Sequence, residues 1–177
     1  MKGRMLRTAA SSLTAALALF LSPAAPQASA QNGLAPADSK FITTAAADGM
    51  LEVELGRLAS QRAASDDVRR FGSRMVEDHS KAADDLRQLA GSKGVRLVGA
   101  LDAKQRALVA RLSGLSGASF DREYVKLMVK EHKQAVSLFQ KQSAQGRDPD
   151  VRAYASRMLP ALQTHLSMIQ DISNEMK

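Results

Sequence analysis

Met75-Val76-Glu77-Asp78-His79-Ser80-Lys81-Ala82 returns later in the chain as Met128-Val129-Lys130-Glu131-His132-Lys133-Gln134-Ala135. The shared pattern, Met-Val-x-acid-His-x-x-Ala, extends on both sides. An aromatic residue stands four positions before each methionine, Phe71 and Tyr124, and an apolar residue seven after each histidine, Leu86 and Phe139. Intervals of three, four and seven lie on one face of an α-helix. The two stretches therefore read as amphipathic helices built to one plan, each carrying a histidine.

The flanking residues give these helices their ends. Ser65, followed by Asp66 and Asp67, is expected to cap one helix, whose inward stripe is Val68, Phe71, Met75, Ala82 and Leu86 and which Gly91 and Gly94 close. Ser119 is expected to cap the other, with Phe120, Tyr124, Leu127, Met128, Ala135, Leu138 and Phe139 inward and Gly146 as the stop. A helix before them is expected to begin near Asp38 or Ser39, with Phe41, Ala45, Leu55 and Ala59 at helical spacing, and to run to about Ala63. After them, Asp148-Pro149 restarts the chain with a capping acid and a proline at the first helical position. Val151, Tyr154, Met158, Leu162, Leu166 and Ile169 then face inward, and Pro160 should kink the helix.

The links set the topology. Residues 63–65 and 146–148 allow only antiparallel hairpins, whereas residues 91–118 are long enough to cross the whole bundle, with Asp102 capping a short helix through Leu112. The second and third long helices then run parallel. The fold expected is all-α, a ferritin-like four-helix bundle with a long crossover between helices 2 and 3; up-down-up-down order is the alternative.

In that arrangement His79 and His132 lie ~20 Å past their caps, at 1.5 Å per residue, and can share one layer. His79 falls near the middle of its stripe, and His165 lies between Tyr154 and Met158 on the fourth stripe, roughly one turn off the layer. His132 sits at the edge of its stripe and Glu131 nearer the centre. The first helix adds Glu52, level with His79, and Asp48 one turn earlier. Isolated charges in such a layer would cost several kcal/mol, so something must compensate them. A metal ion held by Glu52, His79, Glu131, His132 and His165 would do so, with Asp48, Asp78 and Tyr124 supporting from behind. A histidine–carboxylate hydrogen-bond network with ordered water, fixing the bundle's register, would serve equally. Zinc, iron and manganese suit imidazole and carboxylate. Met75, Met128 and Met158 could add a softer set suited to Cu(I), but methionines at such positions are more often core filler, which puts copper behind the others.

Composition removes other classes. The chain has 177 residues, the length of one domain, and no cysteine, which excludes disulfides, thiolate ligands, a cysteine nucleophile and a lipidated cysteine. Lys2, Arg4 and Arg7 precede an uncharged run from Thr8 to Leu21, and Ala28-Ser29-Ala30 has small residues where a signal peptidase requires them. Residues 1–30 are thus expected to be a cleaved signal peptide, residues 31–37 a flexible arm and residues 38–177 one domain in the periplasm or outside the cell. Losing those three bases takes the formal net charge from +7 to +4. After residue 30, charges interrupt every apolar stretch, so no transmembrane span is expected. Bases alternate with acids along the helices and few aromatics could stack on bases, which disfavours nucleic acid. No Glu-x-x-His pair, Gly-x-Ser-x-Gly elbow or glycine-rich phosphate loop occurs, so no catalytic residue is assigned.

Glu52-Val53-Glu54-Leu55-Gly56, Met75 to His79, Gly117-Ala118-Ser119-Phe120-Asp121-Arg122-Glu123-Tyr124, Glu131-His132 and Leu159-Pro160 with His165 together resemble one bacterial family, domain of unknown function 4142. The likeness covers residues 41 to about 172. Lys130-Glu131 stands where an acidic pair is commoner. The resemblance implies an exported ferritin-like bundle and no established activity. Two functions stay open: metal binding through the core histidines and carboxylates, or a non-metal structural module that binds a protein or envelope partner through its charged faces.

Overall fold

The computed structural model describes residues 33–176; the expected signal at 1–30 and the start of the expected arm lie outside them. Five helices follow one another: α1 (Pro36–Arg62), α2 (Asp66–Ser92), α3 (Ala103–Ser113), α4 (Gly117–Gln145) and α5 (Pro149–Glu175). Among the described residues there is no strand.

Helix ends follow local chemistry, with two corrections. The start of α1 moves out from Asp38 to Pro36, because a first-turn proline already has helical φ and lacks an N–H that would go unpaired. The start of α4 moves from Ser119 to Gly117, where φ of +58° suits glycine, with Ser116 at the N-cap. Neither Ser116 nor Ser65 caps through its side chain. Asp102 does, in a reciprocal box with Gln105, and Asp148 accepts from the amides of Asp150 and Val151. Helix α5 runs on through Pro160.

Two buried carboxylates reveal the topology. Asp121, near the start of α4, accepts from the amides of Ala64 (3.1 Å) and Ser65 (2.9 Å) in the α1–α2 turn. Asp38, near the start of α1, accepts from the amide of Asp148 (2.8 Å) in the α4–α5 turn and from Gln142 Nε2 (2.6 Å) at the end of α4. Each hairpin thus holds the other's turn, and α1 is antiparallel to α4. Lys93 at the end of α2 pairs with Asp148 before α5 (2.8 Å), which makes α2 antiparallel to α5. Helices α2 and α4 are therefore parallel and the crossover runs the bundle's length, as expected of a ferritin-like order. Helix α3 packs along it against α1 and α4.

Helices α1 and α2 touch backbone to backbone. A Cβ on Gly56 would lie 2.6 Å from the Gly72 carbonyl oxygen, and one on Gly72 would lie 2.6 Å from Ala59 Cβ. The core divides into two apolar clusters: one holds Phe71, Met75, Phe120, Tyr124 and Met128, the other Phe41, Leu86, Phe139 and Tyr154. The histidines occupy the level between them.

Candidate metal centre

His79 on α2, His132 on α4 and His165 on α5 meet on the bundle axis. Their ring centroids are 6.2 Å (His79–His132), 5.7 Å (His79–His165) and 5.6 Å (His132–His165) apart. One nitrogen of each lies within 4.8 Å of the other two. His165 belongs to the layer rather than one turn off it. Helical side chains lean toward their own N-terminus, so on antiparallel α4 and α5 the two rings lean toward one another and close the offset between their Cα positions. His132 is fully buried and Glu131 is not, the reverse of the expected order. The apolar face of α4 is wide because it meets both α1 and α5, and its innermost line is Tyr124, Met128, His132 and Phe139 rather than the midpoint of Leu127 and Leu138.

Hydrogen bonds fix which nitrogen two of the three rings present. His132 Nδ1 donates to the carbonyl of Met128, one turn back (3.0 Å), leaving the lone pair on Nε2. His165 Nε2 donates to Asp78 Oδ2 (2.8 Å), leaving the lone pair on Nδ1. Buried nitrogens with no partner are Nε2 of His79, Nε2 of His132 and Nδ1 of His165. Burial, with the other histidines' charges, pushes His79 down to about 3, and burial pushes His132 down to about 4 against its bond to Met128. Burial also lowers His165, opposed by Asp78. At neutral pH the layer therefore holds three uncharged imidazoles, with the lone pairs of His132 Nε2 and His165 Nδ1 left free.

Carboxylates surround this trio without joining it. Glu52 is 6% exposed, and its Oε1 lies 3.8 Å from His132 Nδ1, on the edge of the ring already bonded to Met128. Glu52 Oε2 has no partner, and burial, then Glu131 and Asp48, raise its pKa to about 8. Tyr124 is fully buried with its hydroxyl unpartnered; burial and then Glu52 raise its pKa well above the usual value. Asp78 is also held by Arg74, and the two hydrogen bonds outweigh burial to lower its pKa. Asp48 stands at the surface, raised to about 6 by burial against the wall and by Glu131 and Asp102. Glu131 pairs with Lys130 at 3.3 Å. The expected five-residue ligand set thus separates into three converging histidines and two carboxylates beside them.

A cavity of about 280 Å³ adjoins the layer, with His79, Glu52, Glu131 and Asp48 in its wall beside alanines of α1, α2 and α4. It escaped the sequence reading, although the small residues Ala45, Ala46, Ala82, Ala83 and Ala135 on facing helices are the signal that could have found it. Three imidazole nitrogens fit a metal ion chemically. Four-coordinate zinc–imidazole geometry sets them about 3.4 Å apart, so from 4.8 Å the rings need to close by little more than an ångström.

Residues 23–172 match the family described as domain of unknown function DUF4142, and the chain belongs to it. No curated protein matches the sequence. In structure the chain is similar to a DUF305 fragment from Deinococcus radiodurans, with TM-score 0.70 and 16% identity over 81% of this chain and 99% of that one. It is also similar to CopM in its Cu(I)-bound form, with TM-score 0.65 and 13% identity over 78% and 96% of the two chains. CopM in its Cu(II)-bound form gives TM-score 0.67 and 13% identity over 79% and 97%. At these identities the likeness is one of fold.

Proposed function

We propose that this member of the DUF4142 family is an exported protein that binds one transition-metal ion through His79 Nε2, His132 Nε2 and His165 Nδ1. The observation that carries the reading is that three histidines from three helices meet with one nitrogen of each within 4.8 Å of the others, and that each ring keeps a buried nitrogen without a protein partner. An all-nitrogen set suits zinc, copper, iron or nickel better than calcium or magnesium, which take oxygen ligands. The shared fold with CopM, a protein seen with Cu(I) and Cu(II), makes copper the first ion to test. Glu52 is the adjacent group that can balance an arriving cation's charge by giving up its proton. Export rests on the basic, apolar and small-residue pattern of residues 1–30.

The test is metal content by mass spectrometry on protein purified without a histidine tag from the periplasm, beside His79→Ala/His132→Ala. About one ion per chain in the wild type, absent from the variant, is the expected result. No bound metal, and no thermal shift on adding copper, zinc, iron or manganese, would refute the reading.

A further inference from the structure

The cavity beside the histidines has a chemistry of its own. Its body is apolar, formed by Ala45, Leu86, Leu138, Phe139, Met158 and Leu162, and the crossover segment Leu97-Val98-Gly99 lies across it. One wall is acidic: Asp48, Glu52 and Glu131 all line it. Glu52 is 6% exposed and its Oε2 has no hydrogen-bond partner. Arg87 is the one cationic side chain among the lining residues, His79 being uncharged, and its guanidinium is engaged by Asp84 on the surface of α2. A pocket with an apolar body, three carboxyl groups on one side and no free cation selects a molecule with a hydrocarbon portion and a cationic head.

We propose that this cavity binds a small amphiphilic amine, with its hydrocarbon part among the alanines and leucines and its ammonium group on the Asp48–Glu52–Glu131 wall. A cavity of 150 Å³ admits benzene, so 280 Å³ takes a ligand about twice that size, such as an aliphatic chain of about eight carbons or an aryl ring with a short tail. Burial of a hydrocarbon in a preformed apolar pocket supplies affinity, and the carboxyl groups supply selection against neutral and anionic analogues. The inference stands apart from the metal reading, since the cavity and its acids are present whether or not the histidines hold an ion.

The probes are n-octylamine, n-octanol and octanoate, titrated calorimetrically into the chelator-treated protein and again into protein loaded with one equivalent of copper. Octylamine is expected to bind at least tenfold more tightly than octanol, with octanoate weakest. Asp48→Asn/Glu131→Gln, both on the rim, should remove most of the preference for the amine while leaving octanol unchanged. Ala135→Phe, which fills the cavity, should abolish binding of both, with circular dichroism confirming that each variant folds. Octanol or octanoate binding as tightly as octylamine, a rim variant that keeps the preference, or no binding by any probe would overturn the proposal. Loss of metal binding with amine binding intact would count against the metal reading alone.

Discussion

Asp78→Ala separates a histidine that is merely packed from one that is aimed. Asp78 accepts from His165 Nε2 at 2.8 Å, and the ring is 2% exposed, so removing the carboxylate strands a buried N–H. Such a loss costs roughly 1–3 kcal/mol. The Arg74–Asp78 pair adds little, about 0–1 kcal/mol, because the arginine side chain is 51% exposed. The metal-free variant should therefore be about 2 kcal/mol less stable, which at a urea dependence of about 2 kcal/mol per molar lowers the unfolding midpoint by about 1 M. The same substitution frees the ring to turn Nδ1 away from the other two nitrogens. Loss of a group that orients a metal-bound histidine typically weakens affinity by about 10–100-fold. Competition against a chromophoric copper chelator would read this directly. Arg74→Ala, which keeps the carboxylate on His165, should shift affinity less than threefold. If Asp78→Ala loses the stability but holds metal within twofold of wild type, Asp78 does not aim His165 and the tautomer argument fails.

Three further outcomes follow from the same contacts. The metal-free protein should lose stability in both pH directions from about pH 6.5. His79 and His132 titrate at about 3 and about 4 when folded, below their usual 6.5, so the unfolded chain takes up protons first and stability falls as pH drops through 6.5. Glu52 titrates at about 8 when folded and at 4.5 when free, so stability falls as pH rises toward 8. Urea melts of Glu52→Gln at pH 6.5 and 8 should lack that alkaline loss, about 2 kcal/mol. Gly56→Ala should destabilise by about 1–3 kcal/mol despite its better helix propensity, because its Cβ would meet the Gly72 carbonyl at 2.6 Å; a thermal melt that does not move refutes the close approach. Asp121→Ala should lower stability by about 3 kcal/mol and speed amide exchange at Ala64 and Ser65 while sparing Asp148, with Asp38→Ala doing the converse.

The fold was legible because it is written in local signals. Capping acids at Asp102 and Asp148, glycine stops and two short links against one long one determine helix number, direction and the parallel relation of α2 and α4. Contacts between distant segments were not legible. Asp121 sits beside Phe120 on a helix that gives no sign its carboxylate will bind amides of the α1–α2 turn, and Asp38 is equally mute about the α4–α5 turn. Within the layer, a wheel places residues by angle but not by lean or by how many neighbours a helix has. It therefore centred Glu131 over His132 and set His165 too far along; the first error vanishes once α4 is seen to meet both α1 and α5, the second once antiparallel rings lean together. The repeated Met-Val-x-acid-His pattern did point to His79 and His132. It could not show that the rings would present unbonded nitrogens, which depends on Met128's carbonyl for one ring and on Asp78, from another helix, for His165.

The layer is an expensive way to fill the middle of a bundle, and that bears on what it is for. It lies between two apolar clusters that could have been continuous, and it fills that level with three imidazoles and the Glu52 carboxyl. A buried polar group costs roughly 1–3 kcal/mol wherever it goes unsatisfied. Leucine is close to histidine in volume and has no polar atoms, so His79→Leu/His132→Leu/His165→Leu should join the clusters and leave the metal-free protein more stable than the wild type by several kcal/mol, with binding abolished. Urea unfolding in chelator is the measurement. A wild type that overtakes the triple variant only when metal is added would show that the cost is recovered through the ligand, since a species that binds only the folded state stabilises it by mass action. A triple variant that is less stable in chelator would instead give the histidines a structural role, pairing through water to fix the register, and would refute the argument that the layer's cost is recovered through a metal.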